Sequence, residues 1–357
     1  MRTKLQHINL PLAAIVAEGF LSRLSFGVVS FALPLYAHHL GLSLTEIGLL
    51  ASLNTIIAIA LKPVTGWAAD RFGLKRIFII AISLRSLVAI LLAFAGAPWQ
   101  LYSIRTAHGL ATSLRDPSSN ALIAENGGKQ AVASAFAWYQ TAKSVAGSLG
   151  KAFAGLLLAL TAANYPLVFL AAFLLSVLPL IVVLLYVKES DRLPEATKTP
   201  AAPVIAPAPP QTRGRANLLD RWQAVMPFIG FGFLVSTTAE MMTGLFPILA
   251  TDYAGLTEAQ AGLIFSISTL TIMVAGPVFG WISDNVSRKF VLAVRSIFNT
   301  LSSLIFLFAP SFIGMTIGKI ADDVGKSAFR PAWGSLMTHV SGLPEAARRN
   351  HEPHDSG

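Results

Sequence analysis

Long apolar runs dominate this 357-residue chain, ten of them by our reading, near 8–37, 45–67, 76–96, 99–124, 131–160, 165–187, 222–251, 258–282, 289–309 and 311–338. A helix needs about 20 mostly apolar residues to cross a bilayer, so each run is expected to form one span. Only 13% of the residues are charged, against about 25% in soluble domains. A water-soluble enzyme and a disordered or fibrous chain are thereby excluded. The absence of cysteine removes a disulfide framework, a thiolate metal site and a cysteine nucleophile. The first run continues past Glu18 to Tyr36 without a small-residue cleavage site, so it reads as a span and not as a signal peptide.

The connections are short except for 188–221, which is rich in proline and alanine and reads as a flexible cytoplasmic linker. The expected organisation is an N-terminal six-helix bundle over 1–187, that linker, an incomplete four-helix bundle over 222–340 and a disordered tail over 341–357. With the N-terminus inside, the cytoplasmic segments hold sixteen Lys and Arg and the outer connections none. The positive-inside rule therefore places the N-terminus in the cytoplasm. The net charge of +9 belongs to that membrane face and does not indicate nucleic acid.

The second half repeats the first at an offset of 214 residues. Gly41 and Leu42 return as Gly255 and Leu256, and Gly48 and Leu49 as Gly262 and Leu263. Ser52, Thr55, Pro63, Val64, Gly66, Trp67, Asp70 and Lys75 return as Ser266, Thr269, Pro277, Val278, Gly280, Trp281, Asp284 and Lys289. Between 41 and 75 there are 12 identities in 35 positions without a gap. Apolar helices match by chance at Leu and Ala, but not at Gly, Pro, Trp and Asp in phase. Parallel halves related by an axis along the membrane normal are a transporter architecture.

Gly66, Asp70, Arg71, Gly73, Lys75 and Arg76 lie between spans two and three on the face read as cytoplasmic. Their spacing closely resembles the signature of the major facilitator superfamily, with all six defining positions filled. The copy at Gly280, Asp284 and Lys289 has Asn285 and Ser287 in place of the basic residue and the glycine. Arg105 and Gly109 resemble the family's basic motif in span four, with His108 where Gln is common. In span five, Ala146, Gly150, Lys151, Ala154 and Gly155 resemble its antiporter motif, with Lys151 at the proline position and alanine at two glycine positions. The resemblance implies an all-α integral membrane fold of two pseudo-symmetric bundles in the inner (plasma) membrane. It also implies a secondary transporter of a small organic solute by alternating access, not an enzyme, with no cofactor. The segment from Gly66 to Arg76 and its copy are then expected to act as a conformational latch.

Sixteen ionisable residues fall within the spans. Each costs about 2.5–3.5 kcal/mol at the bilayer centre on insertion scales, so they are functional-site candidates. Eleven of them lie on spans one, four, seven and ten, which line the central cavity in the family that the chain resembles. The expected substrate and proton cavity comprises Glu18, Arg23, Arg105, His108, Asp116, Glu240, Lys319, Asp322, Asp323, Lys326 and Arg330. On span ten, Lys319, Asp322, Asp323, Lys326 and Arg330 share one helical face. Arg105, His108, Thr112 and Asp116 form the related stripe 214 residues earlier. Protons are the expected coupling ion and efflux the expected direction. The expected partners are lipid and a small solute, with the chain acting as a monomer. Arg85 and Arg295 read as structural or snorkelling side chains, Lys143 and Lys151 as neighbours of Asp116, and His38 and His39 as solvated.

No metal site is expected: His351 and His354 have the wrong spacing, and Pro353 between them forbids the helix that a zinc motif needs. Adding 214 to spans five and six predicts further spans near 345–374 and 379–401, where the chain turns polar after Ser341 and finishes at Gly357. The alternative expectation is accordingly a truncated, non-transporting membrane remnant or scaffold.

Overall fold

The computed structural model describes residues 10–126, 132–187, 241–285 and 288–340, together with positions 226, 230 and 237. The expected linker, the tail and Glu240 lie outside these residues, as do the side chains of Gly280, Asp284, Lys289 and Arg330. The described elements are helical. They are α1 (Leu10–His39), α2 (Leu44–Phe72), α3 (Leu74–Phe94), α4 (Pro98–Asn126), α5 (Val132–Leu160) and α6 (Tyr165–Tyr186). A helical segment over 241–248, α7, ends in a π turn at Leu249–Tyr253. α8 (Glu258–Asn285), α9 (Arg288–Phe308) and α10 (Phe312–Val340) follow. Among the described residues six helices are long and apolar enough to cross a membrane. α4 and α10, which carry the charge stripes, are not among them, so their polar faces need protein or water beside them.

Packing divides the described chain into two compact units. The first lies within Met1–Thr197, Met241–Leu270 and Ile305–Lys319, and the second within Lys198–Glu240, Thr271–Leu304 and Ile320–Gly357. In the first, α1 packs on α5 and α6, α2 on α4, and α3 on α4 and α6. Glycines set the closest crossing. A Cβ on Gly150 of α5 would strike the Leu24 carbonyl of α1, and one on Gly27 would meet the Gly147 carbonyl oxygen at 2.5 Å. Small residues are what let helix backbones approach this closely where lipid supplies no hydrophobic drive. Hydroxyls join other helix pairs: Ser25 donates to Ala172 O at 2.8 Å and Ser86 to Ser176 O at 2.9 Å. The second unit has a smaller apolar core around Val291, Val294 and Ala328.

The 214-residue repeat is visible in the backbone. Gly41 and Gly255 both adopt left-handed conformations, with φ of 87° and 65°, which glycine enters without a Cβ penalty. The helices that follow open alike. Ser43 and Glu46 form a capping box on α2, and Thr257 and Gln260 exchange the corresponding bonds at 3.0 and 3.2 Å before α8.

The stretch from Gly66 to Arg76, placed between spans two and three by the apolar run limits, is almost wholly helical, because α2 continues to Phe72 and α3 begins at Leu74. Only Gly73 interrupts them, with φ of 92° and its N–H on Ala69 O. A one-residue reversal between two helices needs that backbone freedom, which explains the glycine in the motif.

Pro117 inside α4 has no N–H for the Ser113 carbonyl four residues back. The Thr65 hydroxyl of α2 donates to that carbonyl at 2.8 Å, as expected where no water can. Thr65→Val should therefore lower thermal stability by about 1 kcal/mol. The loss should largely vanish in a Pro117→Ala background, where the helix supplies its own N–H. Differential scanning fluorimetry of the four proteins in detergent measures this coupling, and equal losses in both backgrounds would contradict it.

Candidate functional site

Glu18 on α1 is completely buried. Arg115 on α4, 3% exposed, grips its carboxylate through Nε to Oε1 at 3.1 Å and Nη2 to both oxygens at 2.9 Å. The same Nη2 donates to the Tyr139 hydroxyl of α5 at 3.1 Å. Three helices thus meet on one ion pair, and the ring of Tyr139 fills the space that Gly19 leaves open on α1. Removing one partner of a buried pair strands the other charge. Tyr139 was not among the residues singled out above. Glu18 and its partner stand 97 residues apart, so no local spacing signals their meeting.

Asp116, next along α4, lies on the edge of this pair, with Arg115 Nη1 at 3.8 Å from its Oδ1. Its side chain is 41% exposed. It opens into a cavity of about 280 Å³ shared with Lys62, Ser119, Asn120, Gln140 and Lys143. Lys143 also stacks over the Tyr139 ring at 4.9 Å. The expected neighbourhood of Lys143 and Asp116 is therefore present. Lys151 lies elsewhere: its Nζ sits 4.1 Å from the ring centroid of Phe265 on α8, two turns further along α5.

A second polar cluster surrounds Phe26 on α1. The guanidinium carbons of Arg23 and Arg85 lie 4.7 and 4.9 Å from its ring centroid, and the His108 ring meets it edge-on at 5.2 Å. Arg105 reaches across to α2 and donates to the Leu50 and Ala51 carbonyls at 3.3 and 3.2 Å. Its Nη1 stands 3.3 Å from His108 Nδ1. A guanidinium only donates, so Nδ1 is the acceptor and the neutral imidazole carries its proton on Nε2. That atom is buried without a hydrogen-bond partner.

On α10, Asp322 receives Lys326 Nζ at 2.5 Å and faces Arg295 Nη1 of α9 at 3.6 Å. Arg295 is thus a pairing residue and not a snorkelling one. Gly325 makes room for it, since a Cβ there would stand 3.1 Å from Arg295 Nη1. Asp323 is buried beside them in sequence, and Lys319 lies 5.5 Å from the ring of Phe265. At the α2–α3 turn, Asp70, Arg71 and Arg76 are exposed, and Arg71 lies over the Trp67 ring at 5.4 Å. Among the described residues, no group of three or more His, Asp or Glu is placed to hold a metal.

The opposite end of the first unit is closed. The α5 and α8 backbones touch where Gly155 meets Gly262, and Phe31 and Phe265 pack edge to face at 6.0 Å. His38 Nε2 lies 2.7 Å from Asp252 Oδ2. Sequence reasoning read His38 as solvated, and only the fold brings Asp252 to it. Lys151 occupies the turn just before the Gly155 crossing, with its amine on Phe265.

The profile of the Major Facilitator Superfamily matches residues 19–349. The chain belongs to this superfamily. Multidrug resistance protein 1 of Bacillus subtilis (strain 168) is 24% identical over 340 residues, 94% of this chain and 82% of that protein. A Na(+), Li(+), K(+)/H(+) antiporter of Planococcus maritimus is 28% identical over 148 residues, 40% of this chain and 34% of that protein. The fold also matches a variant of the nucleoside transporter NupG, with a TM-score of 0.72 at 14% identity, covering 92% of this chain and 82% of that one. This facilitator is accordingly a multi-span membrane transporter.

Glu18→Gln or Arg115→Met in this facilitator should each cost about 3–5 kcal/mol, whereas Glu18→Met with Arg115→Met should cost much less than the sum. Thermal unfolding in detergent tests this; additive losses would show that the pair is not the anchor described.

Proposed function

We propose that this protein is a monomeric, proton-coupled exporter of a small amphiphilic organic solute, working by alternating access in the plasma membrane with its N-terminus in the cytoplasm. The observation that carries the reading is the contrast between two neighbouring carboxylates. Glu18 is sealed and held by Arg115, while Asp116 faces a cavity with Lys62 and Lys143. A carboxylate can exchange protons with water only if water reaches it, and an intramembrane acid in that position is a proton-relay candidate. Ionised Asp116 draws Lys143 toward the fixed Glu18–Arg115 pair, and protonation releases Lys143. Bound proton and bound solute thereby favour different arrangements of the same side chains, as coupling requires. The remaining expected cavity residues, including Asp322 and Lys326, line the solute path in this proposal. The turn at Gly73, with Asp70, Arg71 and Arg76, is the cytoplasmic latch. Multidrug-resistance relatives support export, and the partial likeness to an antiporter supports ion exchange.

Proteoliposomes assayed with small amphiphilic dyes of either charge test the proposal. Imposing a pH gradient is expected to drive accumulation of at least one dye, and Asp116→Asn to reduce that driven part at least tenfold while leaving dye counterflow in place. Accumulation indifferent to the gradient, or an unimpaired Asp116→Asn variant, would rule the mechanism out.

A further inference from the structure

On α4, Asp116, Ser119 and Asn120 stand three and four residues apart and so share one face. Gln140 and Lys143 do the same on α5, and α2 contributes Lys62. The fold gathers these six side chains around one cavity of about 280 Å³, at the low end of the range for small-molecule sites. Lys62, Asn120 and Gln140 are exposed, so a solute can reach the cavity from outside.

The charges of this cavity do not satisfy one another. Two lysines and one aspartate line the same space, yet among the described residues neither ammonium forms an ion pair with Asp116. The Asp116 carboxylate is met only by Arg115, at 3.8 Å, and that guanidinium is committed to Glu18. The Lys143 amine lies instead over the Tyr139 ring at 4.9 Å. The Asn120 and Gln140 amides make no hydrogen bond among the described residues. Opposite charges that share a site poorly screened by water attract strongly. Held apart, they offer a negative pole and a positive pole, with amide donors and acceptors beside them. An anion alone would answer the lysines and leave Asp116 unpaired, and a cation alone would face both lysines. A solute that carries both charges answers all three groups.

We propose that this cavity binds a small zwitterion, with its ammonium on Asp116 and its carboxylate on Lys62 and Lys143. Solute ammonium and proton then compete for one carboxylate, which is the linkage that exchange of one for the other needs. The inference rests on the transporter reading, because it names the solute class of that site. It differs from that reading in predicting charge selectivity at equilibrium, where no flux is needed.

The test uses the full chain in lipid nanodiscs and isothermal titration with three probes that share a phenylethyl body: the zwitterion phenylalanine, the cation phenethylamine and the anion 3-phenylpropionate. Phenylalanine is expected to bind at least tenfold more tightly than either of the others. Asp116→Asn should weaken phenylalanine at least tenfold and leave 3-phenylpropionate no weaker. Lys62→Gln should weaken phenylalanine at least threefold and leave phenethylamine no weaker. Should the Lys62 variant not fold, Lys143→Gln carries the same comparison. A singly charged probe that binds as tightly as phenylalanine, no saturable phenylalanine binding, or phenylalanine affinity indifferent to a folded variant would each overturn the proposal. Zwitterion-selective binding in a protein that moves no solute in proteoliposomes would instead sink the transporter reading and leave the binding site standing.

Discussion

A carboxylate and a guanidinium removed from water each lose several kcal/mol of hydration, and only close pairing with further hydrogen bonds returns it. Glu18 and Arg115 meet that condition through three short bonds, and the Tyr139 hydroxyl accepts a fourth. This fixes α1, α4 and α5 relative to one another at the depth where the other charged groups collect. Asp116 is held next to the pair by the helix itself, since it follows Arg115 in the chain. The Phe26 cluster lies on the same helices, with α3 adding Arg85. The sealed pair thus serves as the reference frame, and the groups around it are those free to respond to proton and solute.

The packing that surrounds this frame separates fixed contacts from movable ones. Gly27 and Gly150 bring α1 and α5 into backbone contact within the six-helix half, and hydroxyl bonds tie α6 to α1 and to α3. A glycine pair at Gly155 and Gly262, one aromatic pair and the His38–Asp252 bond close the end that the proposed orientation makes the outer one. The half-exposed His38–Asp252 pair suits a surface that parts and re-forms, because both side chains regain water on opening.

The sequence discloses those features that repeat or are local. Apolar run length marks the spans, with helix limits agreeing with the reading to within a few residues wherever they are described. Gly41 and Gly255 stand out because a reversed backbone needs glycine in both halves. Gly73 stands out through its motif alone, since its copy is Ser287. Contacts between distant helices leave no such mark. Arg115 meets Glu18 across 97 residues, Arg85 reaches Phe26, and His38 reaches Asp252. Each depends on helix rotation and crossing, which apolar patterning inside a membrane hardly encodes, because lipid-facing and protein-facing surfaces are both apolar. Lys151 was misjudged because it stands two turns beyond Lys143 on α5, beside Phe265 and not in the cavity of Asp116.

Alternating access requires the outer closure to open in every cycle, and the absence of cysteine from the chain makes this directly measurable. Paired His38→Cys and Asp252→Cys substitutions, bridged by a short reducible thiol crosslinker in proteoliposomes, should stop solute flux, and reduction should restore it. Each single substitution treated in the same way should keep its flux. Undiminished flux through a protein whose outer ends are demonstrably linked would contradict the account.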